Sequence, residues 1–268
     1  MNDLPSHDPN RCRVIGVLDD GVASLGATAL AHLRTADVVI GGARTLALFR
    51  HALKPGTLTH DLTGQLKAVP GWVRAAREAH QSCVVLATGD PLCHGIAPYL
   101  AQHLCLDALE ILPNLSTLQL ACARVGLAWQ DARIVSVHAA DAGEWQRGAP
   151  PSHGLYALAQ ALRAEQRLLL LTSPANCPDR IARLLLAEGL GSDFHMAVAE
   201  DLLQPDEQVH AQLSPTEAAS MRFAELNVVL LWRTRPRPQP VRFGLADSAF
   251  EQRQPEKGLI TKQEVRAV

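Results

Sequence analysis

Short apolar runs alternate with segments of helical spacing in the first half of the chain. The spacing of Leu25, Ala29 and Leu33 is typical of a helix between two such runs. A strand, a glycine-containing turn and a helix, repeated in this order, indicate a parallel α/β sheet. The runs predicted to be strands lie at residues 13–18, 37–40, 57–62, 84–88 and 109–112, and the intervening helices include residues 65–80 and 96–104.

The second half has strands that follow one another more closely. Residues 167–172 form an apolar run typical of an interior strand, and helices are predicted at 156–162 and around Ile181. Closely spaced strands favour antiparallel pairing, so we expect a mixed sheet here. The other predicted strands are 132–138, 196–200, 208–210 and 226–232.

The predicted fold class is therefore α/β, with a mostly parallel N-terminal sheet and a mixed C-terminal sheet. We predict a disordered N-terminus at 1–11, an N-terminal α/β domain at 12–113 and a C-terminal α/β domain at 114–233. Alternating prolines after Arg233 favour a linker, and residues 261–264 match a capping box close to the last residue. We expect residues 234–268 to be a linker and the start of a truncated second module.

Residues 84–96 carry the strongest sign of a ligand site. The strand cannot continue through Pro91, and Gly89 and Gly95 allow close backbone approach. Open α/β sheets bind ligands at the carboxyl ends of their strands, which is where this bend lies. A simple turn is the alternative.

A second candidate lies at a predicted helix start. Asn114 is a favourable N-cap, which places Ser116 and Thr117 in the first turn, where free N–H groups can face a ligand. Serine and threonine also favour helix starts without any ligand.

Composition excludes several classes of partner. A net charge of −2 gives no overall field for nucleic acid or an anionic membrane, and no apolar run approaches the roughly 20 residues of a membrane span. Without a signal-peptide core, the cytoplasm is the default compartment. The six cysteines lack a Cys-x-x-Cys pair and the 11 histidines lack ligand spacing, so we expect buried free thiols and no metal.

Several stretches, taken in order, resemble one family. The motif Gly-Asp-Pro-Leu-x-x-Gly at 89–95 and the segment 36–42 are similar to the cobalamin-pathway tetrapyrrole methyltransferases. More specific likeness, to the carbon-5 methylating half of the precorrin-6B C5,15-methyltransferases (decarboxylating), lies at 119–124, 129–132 and 225–230. The tail 258–267 resembles the opening of the second, decarboxylating half of those enzymes. The resemblance covers about residues 12–233 plus the tail. The turn at 17–21 departs from the family pattern, as does Arg44-Thr45, so the loop geometry and a histidine role there are not carried over.

The resemblance implies a two-domain fold with S-adenosylmethionine in the cleft between the domains and a precorrin over it. It implies carbon-5 methylation in cobalamin biosynthesis, with S-adenosylhomocysteine as product, and a homodimer or higher oligomer. The full-length family enzyme also methylates carbon 15 with loss of carbon dioxide. The downstream decarboxylating methyltransferase domain would be fused to this chain.

The resemblance also implies site residues. Gly89, Asp90, Cys93 and Ile96 would contact the methionine and ribose, Ser116 and Thr117 the polar end, and Thr172, Ala199 and Val228 the adenine. Arg44, Arg124 and His138 are candidates for the substrate carboxylates. His94 would orient an acetate side chain or accept a proton. Helix capping by Asp90, sheet packing and solvated surface charge are the alternatives, and no catalytic residue is named, because methyl transfer depends chiefly on positioning.

Two other functions remain open at this point. One is a related methyltransferase acting on another tetrapyrrole, a protein or an RNA, although no basic stripe favours RNA. The other is a non-catalytic α/β module that partners the missing domain.

Overall fold

Five parallel strands form the first sheet of the computed structural model, which describes residues 11–236. The strand order is β3-β2-β4-β1-β5, and every pairing is parallel, as predicted. The strands are β1 Cys12–Val17, β2 Val38–Gly41, β3 Leu58–Asp61, β4 Cys83–Thr88 and β5 Leu109–Leu112.

Helices cover both faces of this sheet because successive strand residues point to opposite sides. Val14 and Val85 pack on one face with Val73 and Leu100, whereas Ile15 packs on the other face with Leu33 and Phe49. Both faces are therefore buried, which explains the continuous apolar runs. The helices are α1 Ala27–Thr35, α2 Ala43–Phe49, α3 Val69–Glu78 and α4 Ala97–Leu104, with 3-10 turns at Gly21–Ser24, Arg50–Ala52, Leu66–Ala68 and Leu106–Ala108.

The second sheet is mixed, which confirms the prediction. Its order is β6-β7-β10-β8-β9; β6 and β7 are parallel, and the other pairs are antiparallel. Its strands are β6 Arg133–Ser136, β7 Arg167–Leu171, β8 Phe194–Glu200, β9 Gln208–Leu213 and β10 Asn227–Arg233. Its helices are α5 Thr117–Val125, α6 Tyr156–Ala164, α7 Pro178–Ala187 and α8 Pro215–Ala218.

Helix α5 packs on one face of the second sheet, and α6 to α8 pack on the other. Leu118 and Cys122 of α5 contact the residues of β7, β8 and β10 that face away from α6 and α7. Both sheets belong to one compact unit that extends to Thr234. The division into domains at 113 and 114 stays a prediction, and the predicted tail features at 258–267 lie outside the described residues.

Three local predictions were incomplete or wrong. Asn114 does not cap α5; Ser116 does, because its Oγ accepts from Gln119 N at 3.2 Å while Gln119 Oε1 accepts from Ser116 N at 2.8 Å. The predicted helix at 65–80 is a 3-10 turn followed by α3. The short α8, which begins with its own capping box, was not predicted.

The prediction of buried free thiols is confirmed only in part. All six cysteines are free, but Cys105 is exposed and Cys93 and Cys177 are only partly buried. Within residues 11–236, no helix is long and apolar enough to cross a bilayer.

Gly16 allows two distant segments to meet in the middle of β1. A Cβ at this position would lie 2.3 Å from Gly89 O and 2.7 Å from Asn114 N. The side-chain Nδ2 of Asn114 donates to Gly16 O and to Ser24 O, both at 3.2 Å. The strand therefore lies directly against the bend after β4 and against the segment that enters α5.

We expect Gly16→Ala to lower the free energy of unfolding by roughly 1–3 kcal/mol, because the methyl group displaces backbone that cannot move as a side chain can. The matched control is Gly71→Ala in α3, where an added Cβ meets nothing within 4 Å. That variant should be neutral or up to about 1 kcal/mol more stable. Urea denaturation of the two variants measures both changes. Equal stability of the two variants would contradict the close contact of Gly16 with Gly89 and Asn114.

Candidate S-adenosylmethionine cleft

A cavity of about 330 Å³ lies where the carboxyl end of β4 faces the second sheet. This volume is within the range of small-molecule sites. Strands and loops of both sheets contribute to its wall. The lining residues are Asp19, Arg44, Thr88, Gly89, Asp90, Cys93, His94, Gly95, Ser116, Thr117, Leu118, His138, Leu171, Thr172, Ala199, Leu202, Glu225, Leu226, Asn227 and Val228.

The bend after β4 forms the first wall of the cavity. Gly89 adopts a φ of +73°, and its N–H donates to Val17 O at 2.8 Å, which extends the β1–β4 pairing. Asp90 Oδ1 accepts from Leu92 N at 2.9 Å. A Cβ on Gly95 would lie 2.4 Å from Pro91 O, so the turn closes tightly on itself. Asp90 thus stabilises the bend and does not cap α4, whose N-cap residue is Ile96.

The start of α5 forms the floor. Its capping box occupies the N–H groups of Ser116 and Gln119, so the amides of Thr117 and Leu118 remain for a ligand. Both residues line the cavity. The positive end of the helix dipole points in the same direction and favours a carboxylate.

The second sheet supplies a wall that is mostly apolar. Ala199 and Val228 lie opposite each other on paired strands, and Leu202 is nearby. Thr172 Oγ1 lies 2.9 Å from Asn227 O and 2.7 Å from Asn227 Oδ1. The Thr172 hydroxyl therefore joins two strand ends, which leaves the apolar surface to contact a ligand.

Charged and titratable side chains surround the opening. Arg44 Nη1 lies 2.7 Å from Asp19 Oδ1, and the Arg44 side chain is 47% exposed. His138 Nδ1 lies 2.9 Å from Ser136 Oγ. Desolvation by the cavity wall, followed by the nearby His94, lowers the pKa of His138.

The structure brings together most of the residues predicted from the sequence. Gly89, Asp90, Cys93, Ser116, Thr117, Thr172, Ala199 and Val228, together with Arg44, His94 and His138, line one cavity. The ligand contacts assigned to them stay predictions.

Two predicted residues lie elsewhere. Ile96 packs against the core under α3 and α4. Arg124, in the last turn of α5, forms an ion pair with Glu207, whose carboxylate also accepts from Leu203 N at 2.7 Å. Arg124 therefore holds the loop between β8 and β9 and does not line the cavity.

The lining residues that sequence reasoning did not name as site residues are Asp19, Thr88, Gly95, Leu118, Leu171, Leu202, Glu225, Leu226 and Asn227. Asp19 and Asn227 lie close to strand ends, as the predicted residues do, and this shared position is a signal that could have identified them. Leu202 gave no such signal. Among residues 11–236, no group of three or more histidine, cysteine, aspartate or glutamate residues could hold a metal ion.

Sequence comparison identifies similar proteins. The chain is 33% identical over 258 residues to a precorrin-6Y C(5,15)-methyltransferase (decarboxylating) of Sinorhizobium sp., covering 95% of this chain and 57% of the relative. It is 29% identical over 218 residues to a cobalt-precorrin-7 C(5)-methyltransferase of Salmonella typhimurium, covering 81% and 96%. The chain thus spans little more than half the length of the Sinorhizobium relative.

Solved structures share the fold. A uroporphyrin-III C-methyl transferase from Thermus thermophilus, solved with S-adenosyl homocysteine, superposes with a TM-score of 0.58 at 22% identity, covering 83% of this chain and 97% of the other. A precorrin-6Y methylase from Archaeoglobus fulgidus gives 0.58 at 18% identity, covering 84% and 100%.

The family model of the tetrapyrrole (corrin/porphyrin) methylases matches residues 12–215, which include β1 to β9 and most of the cavity wall. The chain therefore belongs to the tetrapyrrole methylase family.

Proposed function

We propose that this protein transfers a methyl group from S-adenosylmethionine to carbon 5 of a precorrin in cobalamin biosynthesis. The observation that carries the proposal is the cavity in which the Gly89–Gly95 bend, the start of α5 and the second sheet meet. The names of the Sinorhizobium and Salmonella relatives support carbon 5 as the position methylated.

The cavity suits the donor because it combines main-chain donors with an apolar wall. The amides of Thr117 and Leu118 suit the donor's carboxylate, and Ala199 and Val228 suit its adenine. Asp90 uses Oδ1 in the bend, so Oδ2 remains to accept from ribose hydroxyls. S-adenosylmethionine, when bound, supplies an electrophilic methyl on a sulfonium; this chain holds and orients it and excludes water.

Arg44 is the best placed side chain for a substrate carboxylate. Its guanidinium lies at the cavity wall, paired with Asp19 on one side and exposed on another. A planar guanidinium can bind a second carboxylate while it keeps the first, and Asp19 fixes its direction. Precorrins carry several carboxylates, so one such contact orients the ring without requiring a basic protein surface.

Assembly, location and the downstream module stay predictions. We propose a cytoplasmic homodimer and fusion to a decarboxylating methyltransferase module. Light scattering on the purified protein tests the dimer.

Asp90→Ala should weaken binding of S-adenosylhomocysteine about tenfold, because the bend loses its Leu92 contact and the ribose loses an acceptor. Isothermal titration calorimetry measures the affinity. Asp107→Ala, on an exposed turn outside the cavity, is the matched control and should bind like the wild type. An unchanged affinity in Asp90→Ala would contradict the placement of the donor.

Incubation with a precorrin and S-adenosylmethionine should add the mass of one methyl group without loss of carbon dioxide. Mass spectrometry of the product, with mapping of the methylated carbon by nuclear magnetic resonance, checks this. Addition of two methyl groups, or loss of carbon dioxide, would overturn the assignment to carbon 5 alone. Stoichiometric donor binding without transfer to any precorrin would instead favour another acceptor.

Arg44→Ala should raise the KM for the precorrin about tenfold, because one charge-assisted contact is lost, while the affinity for S-adenosylhomocysteine stays within twofold. Arg50→Ala, exposed on the following 3-10 turn, is the control. Steady-state kinetics separates the two effects. A loss of donor affinity as large as the rise in KM would place Arg44 in the donor site.

A further inference from the structure

His138 occupies a distinctive position in the cavity. It follows β6, an edge strand of the second sheet, and lines the same cavity as His94. Its Nδ1 lies 2.9 Å from Ser136 Oγ, two residues earlier in the chain. Among the described residues, no hydrogen-bond partner is found for Nε2. One ring nitrogen is therefore held and the other is available.

The contact with Ser136 is compatible with both neutral tautomers, and one of them leaves a base that faces away from Ser136. With the proton on Nδ1, that N–H donates to Ser136 Oγ, and the lone pair lies on Nε2. An imidazole in this state accepts a proton without rotating. The serine hydroxyl then stabilises the imidazolium that forms.

His138 is exposed to solvent, and its surroundings shift its pKa only in the direction of the neutral ring. Desolvation and the nearby His94 both lower its pKa, so the neutral form predominates at pH 7. The other charged residues that line the cavity are Asp19, Arg44, Asp90 and Glu225. Arg44 forms an ion pair with Asp19, and Asp90 Oδ1 accepts from Leu92 N.

Methylation of a ring carbon that carries hydrogen requires a proton acceptor. The methyl group leaves sulfur, the C–S electron pair stays on sulfur, and a new C–C bond forms from a ring double bond. The C–H bond at the same carbon then breaks, its electron pair restores the double bond, and a proton departs. A group near the reacting carbon accelerates this last step typically by 10²- to 10⁴-fold.

We propose that His138 is the general base that takes this proton on Nε2, with Ser136 as its positioning residue. The inference rests on the proposed methyl transfer and assigns to His138 a role different from the carboxylate contact expected from the sequence. His94 is less suited, because it lies within the bend at a φ of +54° and its ring has no described hydrogen-bond partner that would select a tautomer.

The first test needs no turnover. Long-range ¹H–¹⁵N spectra of protein labelled at histidine should show the Nδ1–H tautomer for His138 and a pKa below its ordinary value of about 6.5. Ser136→Ala should reduce the preference for that tautomer. An Nε2–H tautomer in the wild type would overturn the assignment.

The second test measures methyl transfer to a precorrin. His138→Ala should lower kcat about 100-fold or more, with the precorrin KM and the affinity for S-adenosylhomocysteine within twofold of the wild type. The wild-type rate should fall as the pH drops through the pKa of His138, because only the neutral ring accepts a proton, and this acid limb should vanish in the variant. Added imidazole should restore part of the lost rate.

The outcomes separate this inference from the proposed function. His51→Ala, exposed on a 3-10 turn outside the cavity, is the control and should keep the wild-type rate and acid limb. If the wild type methylates a precorrin and His138→Ala keeps its kcat and acid limb, the inference alone fails. A large rise in the precorrin KM without loss of kcat would overturn the role as a base and support binding of a substrate carboxylate by His138. A wild type that methylates no precorrin would overturn both.

Discussion

Backbone contact at Gly16 is the constraint on which the site depends. Gly89 O and Asn114 N both come so close to this position that a single methyl group would collide with them. The contact joins the middle of β1 to the bend and to the segment that leaves the first sheet. Because protein interiors are tightly packed, a displacement here shifts the bend and the start of α5 together.

The two sheets serve this site in different ways. The carboxyl ends of the parallel strands lie at one edge of the sheet, where Gly89 forms the turn after β4. The mixed sheet presents small apolar residues from antiparallel strands, and Thr172 ties the ends of two of these strands through Asn227. A polar surface on one side and an apolar surface on the other match a ligand that has both characters.

Much of the fold was predictable because its signals are local. Each parallel strand is a short apolar run followed by a turn, and the Gly-Asp-Pro bend was identified because Pro91 must end β4. Thr172, Ala199 and Val228, which the resemblance implied, lie near strand ends. The resemblance supplied the rest of the site, and the cavity groups nearly all of these residues.

What failed depends on contacts distant in sequence. Arg124 lies outside the cavity because Glu207, 83 positions away, pairs with it. Asn114 looks like a helix cap, but its amide reaches Gly16 O, 98 positions away, and Ser116 takes the capping role. Local sequence indicates that such residues form polar contacts. It does not identify the distant residue that each of them contacts.

The capping box of α5 has a further consequence. Ser116 and Gln119 pair their backbone N–H groups with each other's side chains. The backbone N–H groups that remain for a ligand at the helix start belong to Thr117 and Leu118. A protein that grips a small molecule in this manner can exchange the side chains around it over evolutionary time. Sequence drift at Thr117 then carries little penalty, whereas packing constrains the buried Leu118 and Gly16.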